Sequence, residues 1–150
     1  MLSIDFNKRV RCSWARKDIE AIFKIIQKKV KINSAKNNKS EPIELEINIV
    51  DDKEIKDLNF RYRGLKKVTD VLSFAWQEDG IIKTDSLGQI YICYPQIVRQ
   101  AKELSIKSKE EFVRMLAHGF LHIIGYDHVK KKDAVIMFGI QEEIVAEYFA

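Results

Sequence analysis

Cysteine is almost missing from this sequence. Its 150 residues include two, Cys12 and Cys93, far apart and in no C-x-x-C arrangement. A disulfide framework is therefore not expected, and a reducing, cytoplasmic interior is the expected setting. Long apolar runs are missing too: no stretch approaches the ~18 residues that cross a bilayer. The start, Met1-Leu2-Ser3-Ile4-Asp5-Phe6-Asn7-Lys8, has no apolar segment behind a basic head, so no secretory signal is expected. There is no internal repeat and no low-complexity segment. What remains, 46% hydrophobic and 32% charged residues, reads as one soluble domain over residues 1–150 with a single core.

Acidic residues are slightly outnumbered, leaving a net charge of +4. Such an excess is compatible with a polyanionic partner without requiring one. Its distribution says more. Basic residues gather at Lys28, Lys29, Lys31, Lys36 and Lys39, again at Arg61, Arg63, Lys66 and Lys67, and finally at Lys130 to Lys132. The last group directly follows the histidine cluster described below, which favours an acidic or phosphate-bearing substrate.

Periodicity divides the chain into short elements. Leu2, Ile4 and Phe6 alternate with polar residues, as do Ile43, Leu45, Ile47 and Ile49; both runs predict strands. Between them, Ala15, Ile19, Ile22, Phe23, Ile26 and Val30 follow helical spacing over 13–30, and a polar loop is expected at 31–41 before Pro42. Asp51 stands at an N-cap position for a short helix with Ile55, Leu58 and Tyr62 on one face, ended by Gly64. The runs 69–74 and 87–93, joined by a long connection containing Glu78-Asp79-Gly80, predict an antiparallel pair. Pro95 fits the first position of a helix reaching about Leu104. Ser108 and Glu111 have capping-box spacing before another helix. A last helix, 133–149, presents Ile136, Ile140, Ile144 and Tyr148. The predicted class is α+β: about four strands in a mixed sheet packed by four to five helices, one of them a buried histidine-bearing helix with a zincin-like metal site.

All three histidines fall in one run, His118, His122 and His128, spaced H-x-x-x-H-x-x-x-x-x-H. Residues four apart lie on one helix face, so His118 and His122 point the same way. Gly125 can end that helix in a left-handed conformation and let His128 swing back. Three converging imidazoles suit a catalytic zinc, which keeps a fourth position for water. The helix is apolar around most of its circumference, and burying two imidazoles without partners would be costly. Gly119 in mid-helix costs about 1 kcal/mol against alanine, so a close neighbour is expected there. The spacing equals the metzincin pattern H-E-x-x-H-x-x-G-x-x-H, but Gly119 occupies the glutamate position. That glutamate is the general base of peptide hydrolysis, and its absence argues against ordinary peptidase chemistry.

The run His118-Gly119-Phe120-Leu121-His122-Ile123-Ile124-Gly125-Tyr126-Asp127-His128 resembles the H-G-x-L-H-L-x-G-Y-D-H signature of the YbeY family of bacterial rRNA maturation endoribonucleases. Leu58-Asn59-Phe60-Arg61-Tyr62-Arg63-Gly64, Thr69-Asp70-Val71-Leu72-Ser73-Phe74 and Leu87-Gly88-Gln89-Ile90-Tyr91-Ile92 are similar to three further family stretches in order and spacing. Gln89 stands where an aspartate is usual and Ala75 where a proline is. The resemblance implies a single-strand-specific metallo-endoribonuclease with one zinc ion on His118, His122 and His128. Its partners would be single-stranded RNA, ribosomal RNA and the small ribosomal subunit, with roles in 16S rRNA 3′-end maturation and ribosome quality control. It also places Arg63 in the cleft, catalytic together with a metal-bound water; an arginine fork suits the charge that develops on a phosphoryl group. Asp127 is read either as support for a ligand imidazole or as a turn residue, and Tyr126 as packing. Two rival readings stand beside the nuclease. One is a zinc peptidase or amidase with a carboxylate from another segment. The other is a non-catalytic ribosome-associated module whose zinc is closed by a fourth ligand such as Asp127.

Overall fold

The computed structural model describes residues 2–32, 42–78, 81–82 and 85–150, with backbone only for 77–78 and 81–82. Most of the expected 31–41 loop, including Lys36 and Lys39, lies outside the described residues, as do Asp79 and Gly80.

The elements run β1 (Leu2–Lys8), α1 (Arg16–Lys29), β2 (Ile43–Val50), α2 (Asp52–Arg63), β3 (Val71–Ala75), β4 (Gln77–Glu78), β5 (Ile81–Ile82), β6 (Ser86–Cys93), α3 (Tyr94–Glu103), α4 (Ser108–Ile123) and α5 (Lys131–Tyr148). The main sheet has the order β1-β2-β6-β3. β1 pairs parallel with β2 and β2 parallel with β6, while β3 runs antiparallel to β6. The class is thus α+β with a four-stranded mixed sheet and five helices among the described residues. The expected antiparallel pair is β3 with β6; the connection between them carries the small β4-β5 ribbon.

Strand alternation gives the sheet two faces. Ile43, Leu45, Ile47 and Ile49 of β2, with Ile90 and Ile92 of β6, enter the main core against α1, α4 and α5. Val50, Leu72 and Cys93 pack with Ile55 of α2 on the opposite face. α4 is the centre of the main core: Phe112, Val113, Leu116, Ala117, Phe120, Leu121 and Ile123 are all fully buried. At roughly 1.5–3 kcal/mol for each large side chain removed from water, this helix is anchored far more by packing than by propensity.

Several local expectations need correction. α1 begins at Arg16 rather than Ser13, because Trp14 is buried against the Phe112 ring, with centroids 4.2 Å apart. Pro95 is the second residue of α3, after Tyr94. Ser108 is the first helical residue of α4 and Lys107 its uncapped N-cap. Glu111 is buried instead of closing a capping box: its carboxylate accepts from Gln100 Nε2 at 2.7 Å and from the Arg114 guanidinium at 3.2 Å. The buried face of α5 is Met137, Gln141, Ile144 and Val145; Ile136, expected inside, is 50% exposed. Asp51 caps α2 as expected, accepting from the Glu54 amide.

Candidate metal centre

The site is built on the last turn of α4 and the turn that follows. Gly125, at φ +106°, ends the helix; the Gly125 amide donates to His122 O and the Tyr126 amide to Leu121 O. Asp127 then settles the path of the chain. Its Oδ1 accepts from the backbone amides of His128 at 2.6 Å and Val129 at 3.2 Å, so of its two expected roles it takes that of a turn residue. His128 is thereby returned toward α4, its ring centroid 5.4 Å from that of His118 and 4.9 Å from that of His122. The ligand-type nitrogens of the three histidines lie within 4.8 Å of one another. His118 and His122 are half-buried and His128 is exposed.

Hydrogen bonding assigns the ring nitrogens. His118 Nδ1 is 2.9 Å from Gln141 Oε1, whose amide nitrogen is engaged with Glu142 Oε2. His122 Nδ1 is 3.1 Å from the Tyr126 carbonyl oxygen. Both partners are acceptors, so both Nδ1 atoms carry the proton and donate. In the neutral rings both Nε2 atoms then present lone pairs, and they face each other 3.2 Å apart. Two acceptors so placed repel unless a cation lies against them. A tetrahedral zinc with nitrogens at about 2.0–2.1 Å has ligand edges of about 3.3 Å, so the pair fits such an ion. Burial first, then the neighbouring His118 and His128, lower the pKa of His122 and keep its ring neutral, the form a metal needs.

Gly119 lies where β3 crosses the helix. A Cβ built there would meet Ser73 Oγ at 2.9 Å and a Val71 methyl at 3.1 Å. The Ser73 hydroxyl donates to Gly119 O at 3.0 Å. The close neighbour expected from sequence is strand β3, and it leaves no room for a glutamate.

Facing the histidines is a cavity of about 660 Å³ lined by Arg63, Ser73, Met115 and all three imidazoles. Arg63 is the last residue of α2. Gly64 ends that helix at φ +73°, its amide donating to Phe60 O while that of Leu65 donates to Asn59 O. The buried Asn59 also donates from Nδ2 to Lys67 O at 2.9 Å, tying the basic loop to the helix. Two carboxylates reach the cavity wall, and both are engaged. Asp127 holds its turn, and Asp70 accepts from the Val71 amide at 2.7 Å and from Gln100 Nε2 at 3.2 Å.

The sequence-predicted residues Arg63, His118, His122 and His128 thus border one space. Cys93 is not among its lining residues; burial pushes its thiol up to about 12, and it donates to Asp52 Oδ1. Gln89, on the interior strand β6, donates from Nε2 to Glu46 Oε2 of the neighbouring strand β2 at 3.0 Å, a cross-strand structural contact. Sequence reasoning missed Gln141 and the Tyr126 carbonyl. The Tyr126 side chain packs on the core, as expected, while its backbone carbonyl meets the imidazole. Gln141 carried a signal, a polar residue in the apolar stripe of α5.

A profile described as Endoribonuclease YbeY matches residues 7–149. A protein of that name from Ureaplasma urealyticum is 45% identical over 102 residues; the match covers 68% of this chain and 65% of the relative, just under two thirds of its length. Longer matches come from Malacoplasma penetrans, 37% identical over 87% of this chain and 85% of the relative, and Staphylococcus saprophyticus, 36% identical over 99% and 97%. A solution structure of a Thermotoga maritima protein, 27% identical, superposes with a TM-score of 0.65 over 98% of this chain and 89% of that one. With the profile spanning nearly all of its residues, this chain belongs to the YbeY family.

Proposed function

We propose that residues 1–150 act as one metal-dependent endoribonuclease domain that cleaves single-stranded RNA in the cytoplasm. His118, His122 and His128 hold one zinc ion, and Arg63 binds the phosphate. The observation that carries this reading is the facing pair of Nε2 atoms, 3.2 Å apart, in the cavity that Arg63 also lines. Zinc held there supplies Lewis acidity and a water of lowered pKa. The chain supplies the rest. Gln141 and the Tyr126 carbonyl fix the imidazole tautomers. The Arg63 fork, on the last turn of α2, pairs with phosphoryl oxygens and stabilises charge as it builds there. The substrate class rests on the family, whose relatives carry the name endoribonuclease. Work on the 3′ end of 16S rRNA and in quality control of the ribosome, with the small subunit as partner, completes the proposal. The filled Gly119 position and the engaged Asp70 and Asp127 carboxylates weigh against the peptidase and closed-zinc rivals.

The test compares wild type, His122→Ala and Arg63→Ala for metal content and cleavage of single-stranded RNA. The expected result is stoichiometric metal in wild type and loss of metal and cleavage in His122→Ala. Arg63→Ala should keep its metal while cleavage falls roughly 10²–10³-fold. Equal cleavage by all three proteins would sink the proposal.

A further inference from the structure

Phe138 is an aromatic ring on the solvent side of α5, 42% exposed. Its plane lies within 16° of the His118 ring and 20° of the His128 ring, at centroid distances of 6.2 and 5.9 Å. The ring is therefore a parallel, offset neighbour of two of the three imidazoles and keeps open surface beside them. Val129, on the cavity wall next to His128, is 82% exposed, so this side of the site offers apolar surface, next in sequence to the exposed basic run Lys130 to Lys132. The other named side, at Arg63, is cationic. A strand of nucleic acid has that same division between apolar base faces and anionic phosphates.

We propose that Phe138 is a stacking platform for one unpaired base of the RNA, next to the phosphate held at the metal centre; this rests on the endoribonuclease reading. Every base has a π-face, so such a platform accepts any sequence. In a duplex those faces are occupied by neighbouring pairs. The ring is thus a positioning residue that selects for single strands, acting on the substrate rather than on the reacting atoms.

Wild type, Phe138→Ala and Phe138→Trp are compared on a single-stranded oligoribonucleotide and on copies carrying one abasic nucleotide walked past the cleavage site. The expected result is a loss of roughly 5- to 100-fold in kcat/KM for Phe138→Ala, mostly in KM, with metal content unchanged and tryptophan restoring activity. At one abasic position wild type and Phe138→Ala should become equal. A Phe138→Ala defect of the same size on every abasic copy, or loss of metal in that variant, would instead assign the ring to packing the imidazoles and overturn the proposal. If wild type cleaves no RNA, the endoribonuclease reading fails separately. Photocrosslinking with 5-iodouridine RNA then decides the platform alone: an adduct mapped to Phe138 supports it, and its absence overturns it.

Discussion

His118 and His122 each have one ring nitrogen committed to a carbonyl-type oxygen, a partner atom that can only accept, and this decides which nitrogen faces the cavity. For His118 that partner is Gln141, from a different helix. Losing such support to a metal-ligating histidine costs about 10–100-fold in metal affinity. Gln141→Leu should therefore weaken zinc binding by about that factor, measured by competition with a chromophoric chelator, whereas Gln141→Glu keeps an acceptor in place and should retain it. Equal affinity in all three proteins would show that the ring needs no such support. The three histidines were legible because their spacing is meaningful on a helix whatever surrounds it. Gln141 was not, since it lies 23 residues beyond His118 and meets it only because α5 packs back on α4. The expectation that Arg63 borders the cavity came only through the family resemblance; by itself it is an exposed helix-end arginine.

Between elements, the tightest constraint is β3 lying against α4 at Gly119. Alanine there would gain about 1 kcal/mol of helix propensity but overpack the contact with Ser73 and Val71, at a typical cost of 1–3 kcal/mol. The second effect should win. Gly119→Ala is expected to lower the urea midpoint, and to lower it less in a Ser73→Ala background, where the 2.9 Å neighbour is gone. A rise in stability in both backgrounds would show that the strand yields freely. A mid-helix glycine in the sequence announced a close neighbour without saying which. The start of α4 departs from its sequence pattern for a related reason. Glu111 had the spacing of a capping residue, yet Arg114 and Gln100 draw it inward, and no local pattern reports them. Arg114 also grips Glu142 through two 2.9 Å bonds, beside Gln141, so the α4–α5 clamp and the His118 partner share one stretch of α5.

For the whole molecule, class, element order and the antiparallel β3–β6 pair were legible, but the parallel pairing was not: the neighbours β1, β2 and β6 are separated by long connections. On the proposed metal role, saturating zinc at 100 times its Kd should add about 2.7 kcal/mol to the folded state. That should appear as a higher melting temperature that a chelator reverses. The metal-free protein should also be acid-sensitive. His122 has a lowered pKa in the fold, so the unfolded chain takes up the proton first; stability is whole above about pH 6.5 and declines below it. The melting temperature of metal-free wild type should drop between pH 7 and pH 5 by more than that of His122→Phe. The two ends of the site differ in another respect. His118 and His122 ride a helix buried in the core, while His128 is exposed and held by the Asp127 turn. Arrival and escape of an ion should then follow a set order: capture by the preassembled pair, then closure by the third ring, with escape in reverse. Residence time would be governed by the turn rather than by the helix. Asp127→Ala should accordingly shorten the half-life of bound zinc in an exchange experiment while leaving the capture rate close to that of wild type.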